Sequence, residues 1–102
     1  MGNFKKGIRG QLIIPFNDNS KKNLEENLDV FKGVISRDFY YAKFDIYEGI
    51  YDEVEVFGID FDIMNHLSKT ANSDFIRFKK EIEHHFGYKP KEIIIARYDK
   101  VS

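Results

Sequence analysis

Seven carboxylates lie between Lys43 and Lys69 with no lysine or arginine among them: Asp45, Glu48, Asp52, Glu53, Glu55, Asp60 and Asp62. The chain carries a formal charge of −1, so this stretch at −7 leaves +6 on the remainder. Carboxylates at this density can hold a divalent cation, stand in water beside cations of neighbouring strands, or steer a basic partner into contact. Cation binding ranks last, because no loop here has the ligand spacing of a calcium or magnesium site. Tyr41, Tyr47 and Tyr51 edge the acidic run, and tyrosine supplies large contact area with a polar tip.

Other residues invite chemical readings that their settings weaken. Asp18, Asp60, Asp62 and His66 could converge at strand ends as in a metal-dependent phosphodiesterase, yet carboxylates in such places more often cap helices or face water. His84 and His85 are adjacent on a predicted helix, about 100° apart, and cannot easily share an ion. They suit a helix C-terminus, where imidazolium complements the dipole. No serine stands in a nucleophile elbow, and no glycine-rich phosphate loop is present. The sequence therefore points to no catalytic residue, no cofactor and no metal.

The elements that must carry these residues follow from periodicity. Ile8, Gly10, Leu12, Ile14 and Phe16 alternate with Arg9, Gln11, Ile13 and Pro15, a first strand with one buried face. Asn17-Asp18-Asn19-Ser20 is cap chemistry, and Leu24, Leu28 and Phe31 recur at helical spacing before Gly33, where the first helix is expected to stop. From Asp38, Tyr40, Ala42, Phe44 and Ile46 alternate with Phe39, Tyr41, Lys43, Asp45 and Tyr47, a second strand. The short segment Glu48 to Asp52 contains glycine and turns the chain back into a third strand, Val54 to Ile63.

In that third strand Val54 and Val56 share one parity, and Ile59, Phe61 and Ile63 the other. Burying all five on one side requires an extra residue, so the pattern predicts a β-bulge at Phe57-Gly58. Such a bulge would bring Glu53 and Glu55 to the same side as Asp60 and Asp62, an acidic ribbon. Asn65 to Asn72 reads as polar connection with at most a turn of helix, and Asn72 or Ser73 as the cap of a second helix. Phe75, Phe78, Ile82 and Phe86 form its stripe, Arg77/Glu81 and Lys79/Glu83 its surface charge pairs, and Gly87 and Pro90 its end. Ile93-Ile94-Ile95-Ala96 with Tyr98 makes a last strand, covered in part on both faces.

The order β-α-β-β-α-β over residues 1–102, read as a single domain, is the ferredoxin-like or split βαβ arrangement. This is an α+β sandwich in which a four-stranded antiparallel sheet carries two helices on one face. That fold hosts enzymes, RNA-binding modules and dimerisation units alike. Exposed aromatics at Phe39, Tyr41 and Tyr47 hint at an RNA-reading surface, but Glu53 and Glu55 on the central third strand would repel phosphate, which argues against direct nucleic-acid binding.

With no cysteine, no signal-peptide run and no membrane-length apolar stretch, the expected location is cytoplasmic. Met1-Gly2 does not complete a myristoylation signal, since Lys6 occupies the hydroxyl position. The expectation is a non-catalytic binding or inhibitory module. Its acidic hairpin, with Asp45, Glu53, Glu55, Asp60 and Asp62 edged by Tyr41, Tyr47 and Tyr51, would engage a basic protein surface. In its sharpest form the acids imitate phosphates and block a nucleic-acid-handling protein, a strategy suited to virus- or plasmid-borne accessory proteins. The alternatives are a solvated face neutralised by Arg9, Lys43 or Arg97, a homodimer that covers Ile13, Phe39, Tyr41 and one parity of Ile93 to Tyr98, and the metal-dependent phosphodiesterase.

Overall fold

The structure, a computed structural model, describes residues 4–101. Its elements are β1 (Phe4–Pro15), α1 (Asp18–Asp38), β2 (Ala42–Tyr51), β3 (Val54–Asn65), α2 (Ser68–Phe86) and β4 (Lys91–Val101). The sheet order is β2-β3-β1-β4 with every neighbour antiparallel, which is the ferredoxin-like split βαβ arrangement. Among the described residues no helix is long and apolar enough to cross a membrane.

One parity of each central strand meets both helices. Ile8, Leu12 and Ile14 of β1 and Phe57, Ile59, Phe61 and Ile63 of β3 pack with Phe31 and Ile35 of α1 and with Phe75, Phe78, Ile82 and Phe86 of α2. α1 starts at a reciprocal capping box: Asn17 Oδ1 accepts from the Ser20 N–H and Ser20 Oγ from the Asn17 N–H, both at 2.9 Å. It does not stop at Gly33 but runs on to Asp38. The apolar stripe continues through Ile35 and the buried cap residue Phe39, and that burial outweighs the roughly 1 kcal/mol that glycine costs in a helix. Phe39 is therefore a core residue stacked under Arg77, not a residue of the open sheet face.

α2 likewise begins earlier than its cap chemistry suggests, at Ser68. Ala71 is 1% exposed and extends the stripe of Phe75, Phe78 and Ile82 by one turn, while Asn65 Oδ1 accepts from the Leu67 N–H at its entrance (3.3 Å). At the other end Gly87 takes the left-handed conformation. Asn23 and Asn27 of α1, one turn apart, donate to the terminal carbonyls of Phe86 (3.1 Å) and His85 (2.9 Å). The charge pairs on α2 also differ from expectation: Lys79 meets Glu92, Glu81 meets His85, and Arg77 meets Asp74.

No bulge interrupts β3. Its register with β2 and with β1 is continuous through Phe57 and Gly58, so Val56 is buried on the open face and Phe57 on the helix face. The irregularity lies in β4, where Gln11 pairs with Ile94 and Leu12 with Glu92, leaving Ile93 extra. Gly10 answers it, since a Cβ there would stand 1.8 Å from the Ile94 carbonyl oxygen. β4 is an edge strand, and Ile94 stays 59% exposed. The β2–β3 connection is a two-residue turn at Asp52-Glu53 rather than a loop around Gly49, and both of its residues have positive φ (52° and 65°), the type I′ geometry that matches strand twist.

Candidate functional site

Continuous pairing divides the acidic hairpin between two faces. Asp45, Tyr47, Asp60 and Asp62 take the open face, with Tyr51 in the same parity, whereas Glu55 shares the helix-side parity of Glu48 and Ile50 and Glu53 sits in the turn. The expected single ribbon does not form, because it depended on the bulge. Tyr41 lies just before β2, its carbonyl accepting from the Met64 N–H (3.1 Å).

On the open face, Asp60 and Asp62 are engaged within the molecule. Tyr47 of β2 stands opposite Gly58, and Tyr98 of β4 opposite Gly7. Each ring lies down over its glycine: a Cβ on Gly58 would come within 2.6 Å of the Tyr47 ring, and one on Gly7 within 2.2 Å of the Tyr98 ring. Lying flat, each phenol reaches a carboxylate of β3. Tyr47 donates to Asp60 Oδ1 (3.0 Å) and accepts from Gln11 Nε2, and Tyr98 donates to Asp62 Oδ1.

Burial first, and then the bond to the carboxylate, pushes the phenol pKa upward at both tyrosines, more strongly at Tyr98. The register also sets Asp62 between Arg9 and Lys43, while Asp60 has Gln11 and Asp45 beside it. Arg97 takes no part, being turned to Asn72 of α2 (3.4 Å). Sequence periodicity gives Gly7, Gln11 and Tyr98 no special role, and it marks Gly58 as a bulge residue, whereas in the structure Gly58 makes room for the Tyr47 ring. The available signal was a pair of glycines inside apolar strands.

Apart from Asp45, which lies exposed beside Asp60 in mid-strand, the acids that remain available gather at the hairpin tip. β1 pairs with β3 only as far as Pro15 and Val56, with one further bond from the Phe16 N–H to the Glu55 carbonyl (3.4 Å), so Ile50 to Glu55 overhang the four-stranded sheet as a two-stranded ribbon. Ile50 is 76% and Val54 60% exposed there, and Tyr51 is exposed as well. Among the described residues no cation pairs with Glu48, Asp52, Glu53 or Glu55. On the helix side Phe16, Glu48, Gly49, Ile50 and Glu55 line a shallow cleft of about 470 Å³.

The residues of the phosphodiesterase reading are not brought together. Asp18 follows the Pro15 end of β1 and His66 follows Asn65, which pairs with Lys6 at the other end, roughly 30 Å away along the strand. Among the described residues no three His, Asp or Glu side chains are grouped closely enough to hold a metal ion. His84 and His85 contact one another edge to face (5.1 Å), and His85 Nε2 is 3.1 Å from Glu81.

No family model matches this sequence, and no curated protein matches it. Among solved structures the chain is similar to one described as de novo designed protein Foldit4, at 8% identity and a TM-score of 0.51 over 96% of this chain and 98% of that one. At that identity the likeness speaks to fold alone.

Proposed function

We propose that the chain is a non-catalytic binding module that engages a basic protein surface, on a nucleic-acid-handling protein, through the overhanging tip of the β2–β3 hairpin. One observation carries the reading: four carboxylates without cation partners among the described residues surround the exposed Ile50, Tyr51 and Val54 on a ribbon that projects past the sheet. Unscreened acids accelerate encounter with a basic surface, and exposed apolar and tyrosine side chains supply the contact that persists. The helix-side cleft suits one lysine or arginine of the partner, its stem along Phe16 and Ile50 and its head between Glu48 and Glu55. Imitation of a phosphate backbone would need the acids in one row, so the plainer basic-surface form is the one proposed.

The test is affinity capture with mass spectrometry from the native host. A basic protein retained by the natural chain should be lost with Glu48→Lys/Glu55→Lys, kept with Asp60→Asn/Asp62→Asn, and released by raised salt. Retention of the same partner by the Lys variant would refute the proposal.

A further inference from the structure

On the opposite side of the same hairpin lies a second feature with different chemistry. Ile13, Pro15, Tyr51, Val54 and Val56 line an apolar groove of about 350 Å³ on the open sheet face. Asp52 stands at one rim and Lys89 and Lys91 at the other. Lys91 Nζ lies 5.3 Å from the centre of the Tyr51 ring, and among the described residues neither lysine meets a carboxylate. An apolar strip with acid on one side and base on the other complements itself, because a two-fold axis turns each rim toward the opposite rim of its copy.

We propose that this groove is the docking site for a second copy of the chain, in a face-to-face dimer whose two-fold axis runs parallel to the strands. The sheet order makes the choice of axis specific. Rotation about that line lays β1 over β3 of the second copy and β4 over β2, with each level of the sheet kept. Arg9 then stands level with Asp62 of the second copy and Gln11 with its Asp60, while Lys43 meets Ala96, Asp45 meets Ile94 and Tyr47 meets Lys91. At none of these levels does a charge meet its like. Val56 comes over Pro15 of the second copy, apolar against apolar on a face that no helix protects. The dimer and the basic partner proposed above share Tyr51, Asp52 and Val54, whereas Glu48, Ile50 and Glu55 on the helix side of the tip belong to the basic partner alone.

Sedimentation equilibrium on the purified chain decides the matter without any other protein present. The weight-average mass should rise toward twice the chain mass within millimolar concentration. Asp52→Lys/Glu53→Lys sets base against base, Lys89→Glu/Lys91→Glu sets acid against acid, and each should weaken association by about tenfold or more. Mixing the two variants should restore a two-chain species, because every rim then meets its opposite; this restoration excludes misfolding as the cause of the loss. A chain that stays monomeric throughout, a dimer indifferent to both variants, or variants that fail to rescue one another would each overturn the proposal.

Discussion

Tyr47 and Tyr98 come from the two outer strands, lie across glycines of the two central ones, and end at Asp60 and Asp62. The arrangement joins three requirements that are separate in sequence: a glycine that leaves room, a ring that covers exposed backbone, and a carboxylate that fixes the phenol. It also changes the meaning of the two aspartates, whose oxygens are engaged inside the molecule. Because both phenol pKa values are raised in the folded chain, the unfolded chain loses its tyrosine protons first, near pH 10. Stability from these groups is complete below that pH and is lost as pH climbs through the folded values. Tyr88, bonded by Asn19 and then Asn17, has its phenol shifted downward. A spectrophotometric titration should therefore spread the six tyrosines, with Tyr88 early and Tyr47 and Tyr98 late. Tyr98→Phe should remove the latest step and flatten the alkaline fall in urea midpoint. Six tyrosines ionising together would disprove the clasp.

At the scale of elements, the hairpin turn is locally unfavourable and yet retained. Asparagine and glycine are the residues that suit both central positions of a type I′ turn, and Asp52 and Glu53 occupy them with positive φ. Aspartate tolerates that region better than glutamate does, so most of the strain lies at Glu53. Replacing the pair by Asn-Gly should raise stability by about 1 kcal/mol in denaturant melts, and the same variant should bind the basic partner less well. Unchanged stability would mean that the turn carries no strain. Gain of stability with full binding would separate the strain from the function.

The elements also show where sequence patterns mislead. Their order is legible because Leu24, Leu28 and Phe31, or Ile8, Leu12 and Ile14, keep one period throughout. Their ends are not, because Ile35, Phe39 and Ala71 extend each stripe past the nearest glycine or cap residue by burial alone. The β3 sequence calls for a bulge only if all of its apolar residues share one face. Val56 is buried against the open side instead, and the acidic pairs are divided as a direct result. The tyrosine clasp left no periodic trace, since it depends on which residue stands opposite which glycine across two strand pairs.

Across the whole molecule, the core and the surfaces proposed for binding occupy different places, and one residue shows how far the core depends on a single contact point. Phe31 of α1 is fully buried and meets Phe44 of β2 (5.0 Å between ring centres) and Phe78 and Phe86 of α2 (5.9 and 4.9 Å). Truncating a phenylalanine at such a junction removes both its transfer energy and the packing around it, about 3–5 kcal/mol. A domain of this size has only about 5–15 kcal/mol in total. Phe31→Ala should therefore leave a marginal fold with a sharply lower denaturant midpoint, and Phe31→Leu a smaller loss. Glu48→Lys/Glu55→Lys at the exposed tip, by contrast, should stay within about 0.5 kcal/mol per substitution of the natural chain. That difference is what allows the tip to be tested for binding without disturbing the fold. If the tip variants cost as much as Phe31→Ala, the hairpin is part of the stabilising core rather than a projection from it, and the binding reading loses its structural basis.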